Sequence, residues 1–158
     1  MITVALVRGH AIGGGAELTT ACDFRLMAPD ARIGFVQSTM GVAPGWGGGT
    51  RLVRLLGRKK ALELMISARV LPAAEAVAEG LADAIATTGV EDNEAEEFIL
   101  KMVAGKEAAV VRAAKMISIV GAEEELDQAL EVERALFAAV WGGEAHQRAM
   151  RGNIKHKD

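Results

Sequence analysis

The sequence predicts an α/β fold whose back half is wholly helical. Three observations predict it: an apolar run at residues 2–7, a glycine turn leading through a short helix to a second apolar run, and successive amphipathic faces beyond residue 97. In the first run Ile2, Val4, Ala5, Leu6 and Val7 lack the alternation of a half-exposed strand. Runs of this kind belong to strands covered on both faces, as in parallel sheets. The stretch from Ala16 to Cys22 has room for two helical turns, and a strand is expected over residues 24–28, closed by the turn Pro29-Asp30. Strand, helix, strand is a β-α-β opening.

Further along, Leu52, Val53, Leu55 and Leu56, then Ala61, Leu62, Met65 and Ile66, recur at helical spacing on either side of Gly57, which suits a helix C-terminus. Pro72 opens another short helix and Gly80 closes it. Residues 82–86 form a short strand, and the acidic stretch from Glu91 to Glu97 is a solvated loop and first helical turn. Phe98, Met102 and Val103, then Val110, Ala114 and Ile117, then Leu126, Ala129, Leu130, Glu133, Phe137 and Val140 trace the helical faces of the back half. With no repeat, low-complexity segment or long linker, residues 1–158 read as one domain: about 1–90 α/β, about 91–158 helical.

A chain of 158 residues can bury a sizeable core, about 70% of the surface its unfolded form exposes. Hydrophobic content of 51% with 25% charged residues is that of a globular protein, and no apolar stretch reaches the roughly 20 residues of a membrane span. No secretory leader pattern is visible, which points to the cytoplasm. The net charge of −3 and six aromatic residues argue against nucleic acid. Cys22 stands alone, so no internal disulfide is expected, and the histidines at 10, 146 and 156 lack the spacing of a metal site.

Two glycine-rich turns, Gly13-Gly14-Gly15 and Gly45-Trp46-Gly47-Gly48-Gly49-Thr50, invite comparison with phosphate-binding loops. Neither fits. A lysine would have to precede Thr50, where Gly49 stands, and Leu18 or Thr50 occupies the third glycine of a dinucleotide fingerprint. Ser38 lies between Val36 and Met40 and makes no nucleophile elbow. Spacing alone leaves two readings of Gly13 to Gly15 open, a tight strand-to-helix connection or an anion site at bare N–H groups. Glu17 is likewise either an acid that complements the helix dipole or an acid-base group one turn from the N–H of Gly14.

The string Val4-Ala5-Leu6-Val7-Arg8-Gly9-His10-Ala11-Ile12-Gly13-Gly14-Gly15-Ala16-Glu17, followed by Cys22-Asp23 and Gly41-Val42-Ala43-Pro44-Gly45-Trp46-Gly47-Gly48, resembles the crotonase (enoyl-CoA hydratase/isomerase) superfamily. Within it, Thr19-Thr20-Ala21-Cys22-Asp23-Phe24-Arg25-Leu26-Met27 and Val140-Trp141-Gly142-Gly143 are most similar to its decarboxylases. The resemblance runs from about residue 3 to 143. It implies a crotonase-like β-β-α spiral, here partial, followed by C-terminal helices, that holds an acyl-CoA thioester oxygen as an enolate between two backbone N–H groups.

Gly14 matches one of those donors, and removing one such donor costs roughly 2.7 to 4 kcal/mol of transition-state stabilisation. Glu17 matches the first of two hydratase carboxylates, whereas the second position falls on Gln37. An amide exchanges no proton at neutral pH, which compromises two-acid hydration. Losing CO₂ from a short branched malonyl thioester, ethylmalonyl-CoA or methylmalonyl-CoA, asks only for the oxyanion site, alignment and one proton donor. The resemblance thus implies a decarboxylase with Gly14 and Glu17 as catalytic residues, Glu17 as the acid, and Gly13, Gly15, Gln37, Pro44 and Trp46 lining the substrate. The alternatives are an enoyl-CoA isomerase or hydratase, or a non-catalytic CoA-binding or oligomerisation fragment.

Trp46 is either a wall of the acyl pocket or a packing anchor, and Pro44 also reads as a turn former. Arg148, Arg151, Lys155 and Lys157 are either solvated or meet CoA phosphates, Trp141 packs, and His10 is structural. No separate cofactor and no metal is expected, because coenzyme A is part of the substrate; a homo-trimer or homo-hexamer is implied. In the family the other oxyanion donor comes from upstream strands. This chain therefore reads as a C-terminal portion with a sheet edge uncovered.

Overall fold

A computed structural model describes residues 1–87 and 92–152. The chain forms two compact units, Ile2–Lys101 and a second made of Met102–Asp158 with Met1. The first unit carries two three-stranded sheets. In chain order it runs β1 (Val4–Val7), β2 (His10–Ile12), α1 (Gly14–Thr19), β3 (Phe24–Met27), β4 (Arg32–Gly34), a single 3-10 turn (Gln37–Met40), α2 (Gly48–Ser67), β5 (Val70–Pro72), α3 (Ala73–Ala78) and β6 (Ala84–Ile85). Sheet one has the order β1-β3-β6, all parallel, and sheet two the order β2-β4-β5. In the second, β2 runs parallel to β4 and β5 antiparallel to it.

Successive strand pairs split between the sheets. β1 pairs with β3 from Val4 opposite Phe24 to Val7 opposite Met27, and β2 pairs with β4 from His10 opposite Arg32 to Ile12 opposite Gly34. The first two turns of chain thus each give one strand to each sheet before a helix, the β-β-α spiral, whereas in the third α3 lies between β5 and β6. The strands β2, β4 and β5 are absent from the sequence expectations because three residues are too few to show a period. The expectation for residues 2–7 is corrected in one respect. β1 lies at a sheet edge with one neighbour, and Val4, Ala5 and Leu6 are only half-buried rather than covered on both faces.

Met27, Ile33, Phe35, Leu52, Leu64, Leu71 and Leu81 are the largest fully buried side chains and form the core under both sheets. Two polar clusters tie its margins. Asp23 Oδ2 accepts from the N–H of Thr3 at 2.7 Å and from its hydroxyl at 2.9 Å, fixing the entry of β1 against β3. Buried Arg25 donates to the carbonyls of Leu81 (2.8 Å), Cys22 (3.0 Å) and Thr19 (3.4 Å) and pairs with Asp83 at 3.3 Å. A guanidinium is tolerated inside because its donors are met.

Gly57 interrupts α2, as its place in the sequence predicts, but the helix resumes at once instead of ending. Its φ of 76° and ψ of 160° lie in a region essentially closed to other residues. An added Cβ would touch nothing within 4 Å, so Gly57→Ala isolates backbone strain. We expect it to lower stability by about 1–3 kcal/mol in urea denaturation. Gly121→Ala, at an ordinary helical position with equally open space, should instead stabilise by about 1 kcal/mol.

Helix α4 (Asp92–Val103) begins within the acidic stretch, where Glu94 accepts from the N–H and hydroxyl of Thr87 at 3.0 and 2.8 Å. Glu91 lies outside the described residues. Phe98 meets Phe24 edge to face at 5.5 Å. The second unit holds α5 (Ala108–Glu123), α6 (Leu126–Val140) and α7 (Glu144–Arg151). There Trp141 packs between Phe137 at 4.8 Å and His146 at 4.3 Å. No helix among the described residues is long and apolar enough to cross a membrane.

Candidate functional site

The candidate site forms where the start of α1, the 3-10 turn and the loop before α2 converge on Glu17. The N–H of Gly13 donates to Gly34 of β4 at 2.9 Å, and its carbonyl accepts from the N–H of Glu17 at 3.0 Å. Gly14, the first residue of α1, has an N–H with no acceptor among the described residues, as expected where a helix has no preceding turn.

Glu17 is 3% exposed, and four donors close on it. Oε2 accepts from the N–H groups of Trp46 at 2.8 Å and Gly48 at 3.0 Å; Oε1 accepts from Gln37 Nε2 at 2.8 Å and the N–H of Gly45 at 3.3 Å. Burial pushes this carboxyl up, but the N–H groups of Trp46 and Gly48, the Gln37 amide and the N–H of Gly45 together hold it below its ordinary value. Glu17 is therefore charged at neutral pH. A carboxylate held in this way must take up a proton before it can give one.

The structure brings Gly14, Glu17, Gln37 and Trp46 together and leaves others apart. A Cβ on Gly14 would lie 2.6 Å from the Trp46 ring, so the indole rests on Gly14 although Trp46 is 65% exposed. Pro44 packs toward Gly49, where an added Cβ would stand 3.3 Å from it. Gly15 is exposed and lines a groove of about 420 Å³ along β1 with Leu18, Cys22 and the exposed His10. Arg148 pairs with Glu107 and, at 3.7 Å, with Glu144, while Arg151 donates to Gln147 at 3.4 Å. Lys155, Lys157 and His156 lie outside the described residues. No group of side chains able to hold a metal ion occurs among the described residues.

Arg51 is the residue that sequence reasoning missed. Its Nε donates to the Thr20 hydroxyl at 2.9 Å, and Nη2 reaches the carbonyls of Trp46 at 3.0 Å and Glu17 at 3.3 Å. It ties the loop to α1 through contacts separate from those of the carboxylate. The only sequence signal is an arginine one turn into the helix that follows a glycine loop.

Comparison with known proteins identifies the family and the fold. The sequence family described as Enoyl-CoA hydratase/isomerase matches residues 1–156. Ethylmalonyl-CoA decarboxylase of Xenopus tropicalis is 46% identical over 160 residues, covering 99% of this chain and 53% of that protein. The protein of the same name from Homo sapiens is 42% identical over 153 residues, covering 95% and 50%. This chain thus spans about half the length of these relatives. The enoyl-CoA hydratase of Bacillus anthracis superposes with a TM-score of 0.80 at 32% identity, over 92% of this chain and 57% of that one. The enoyl-CoA hydratase/isomerase of Cupriavidus metallidurans gives 0.79 at 27% identity, over 94% and 56%. The chain belongs to the enoyl-CoA hydratase/isomerase family, the crotonase superfamily.

Proposed function

We propose that this chain carries the catalytic centre of an acyl-CoA lyase that removes CO₂ from a short branched malonyl thioester, ethylmalonyl-CoA or methylmalonyl-CoA, by way of an enolate. The observation that carries the proposal is the surroundings of Glu17. Among the described residues the one side chain that donates to its carboxylate is the amide of Gln37, so no second carboxylate meets it, and Glu17 itself is charged and fully engaged. Hydration needs one group to activate water and another to protonate carbon. Among the described residues this site offers one such group at most, Glu17.

Decarboxylation asks less of the protein. As CO₂ leaves, negative charge develops on the thioester oxygen, and the open N–H of Gly14 is the donor for it. Glu17 serves as a charged clamp: it fixes the loop that lays Trp46 on Gly14. Gly13, Gly15, Gln37, Pro44 and Trp46 complete the proposed lining. The relatives named ethylmalonyl-CoA decarboxylase support this reading. Coenzyme A enters as part of the substrate, and assembly as a homo-trimer or homo-hexamer in the cytoplasm belongs to the same proposal.

The test incubates the purified chain, and a version extended at its N-terminus with a relative's residues, with ethylmalonyl-, methylmalonyl- and crotonyl-CoA. Products are read by mass. Butyryl- or propionyl-CoA with untouched crotonyl-CoA is the expected result. Hydrated crotonyl-CoA would overturn it in favour of a hydratase, and inertness of both versions would favour a CoA-binding or oligomerisation fragment.

A further inference from the structure

The donors around Glu17 decide which polar atoms of this centre are met within the protein. A carboxylate offers about four lone-pair positions. Those of Glu17 are all taken, by Gln37 Nε2 and the Gly45 N–H on Oε1 and by the Trp46 and Gly48 N–H groups on Oε2. Glu17 therefore has no position left to receive a water.

The Gln37 amide is in the opposite condition. Its orientation is forced, because turning it over would set its oxygen against the carboxylate of Glu17. With Nε2 committed, Oε1 is left buried and without a partner, on a side chain only 5% exposed. A buried acceptor in that state is costly, and such atoms are ordinarily met by an ordered water or a ligand donor. The open acceptor of this cluster is thus on Gln37.

We propose that Gln37 Oε1 seats one water beside Glu17 and that this water protonates the enolate left when CO₂ departs. The inference rests on the decarboxylase reading for its second half only. The enolate's electron pair forms the new C–H bond at the α-carbon, and one O–H bond of the water breaks. The hydroxide left behind adds to the departing CO₂. Malonyl thioester carboxylate plus water therefore gives acyl thioester plus hydrogencarbonate, with no other reactant. A thioester enolate is a stronger base than hydroxide, so neutral water is acid enough, and Glu17 can remain charged throughout. Gln37 is here a positioning residue.

Two measurements test it, and they fail separately. A high-resolution crystal structure of the chain should show a water within hydrogen-bond distance of Gln37 Oε1. Gln37→Met should lose it while Glu17 keeps its contacts with Trp46 and Gly48. An empty position in the wild-type chain overturns the inference whatever the activity. In D₂O, product formed by the wild-type protein should carry deuterium on one face of the α-carbon, and product from Gln37→Met on both faces in near-equal amounts. Retained facial selectivity in Gln37→Met would exclude the seated water as proton source. Absence of CO₂ release from the wild type would sink the decarboxylase reading and with it the proton-delivery half, leaving the water seat decided by the crystal structure.

Discussion

Gly48→Ala is expected to destabilise the protein by about 2.5–6 kcal/mol, the sum of overpacking and a lost hydrogen bond to a charge. The added methyl would stand 2.3 Å from Glu17 Cγ, 2.4 Å from its Cβ and 2.6 Å from its Cα. The last of these is backbone, so rotating the Glu17 side chain gives no relief. Gly48 is buried at the start of α2, and its N–H is one of the donors to Glu17. Separating α1 from α2 by the required ångström breaks that bond and strains the neighbouring one from Trp46. Overpacking alone costs about 1–3 kcal/mol and a hydrogen bond to a charged group about 1.5–3. Gly49→Ala is the control, because its methyl would meet Pro44 at 3.3 Å and Met65 at 3.4 Å, at the edge of ordinary contact. Helix propensity offsets that crowding by about 1 kcal/mol. Urea denaturation should place Gly48→Ala far below the wild type and Gly49→Ala close to it. Equal midpoints for the two variants would mean that α1 and α2 are not in the close contact described.

The same contact explains what was legible in the sequence and what was not. β1 and β3 announce themselves because each is four residues long and largely apolar, with Arg25 the one charged residue between them. β2, β4 and β5 each bury one central side chain, Ala11, Ile33 and Leu71, and owe their strand state to ladder partners remote in sequence. Gly57 shows the limit of a local signal: glycine marks the break, but only packing decides that a second helical segment follows. For the site, Gly14 and Glu17 stand out as a glycine turn followed by an acid, whereas Gln37 was reached only by counting along a family pattern. The charge state of Glu17 was not legible at all. It depends on three N–H groups about thirty residues downstream and on how a glycine loop folds back over α1. Arg51 was invisible for the same reason, since its partners are backbone carbonyls and a threonine hydroxyl rather than a recognisable acid.

Glu17→Gln separates charge from shape. The amide fills the same space but offers one oxygen, so two of the four donors can still be met while its NH₂ is set against the others. At neutral pH the expected loss is about 3 kcal/mol, reduced by the easier burial of a neutral side chain and increased by N–H groups left unmet. The pH dependence has a definite sign. Glu17 titrates lower in the folded chain than its ordinary value of 4.5. Its contribution to stability is therefore fully present above that ordinary value and is lost as the pH falls through the folded-state value. Glu17→Gln lacks a titrating group at this position. The gap between the two proteins should be widest near neutrality and close on acidification, both denatured in urea from about pH 7 to about pH 3. A gap that stays constant over that range would show that the four donors do not hold a charge. A gap that widens on acidification would place the folded-state value above the ordinary one and show that the site favours the protonated form of Glu17. That outcome would favour Glu17 itself as the proton donor over a water seated beside it.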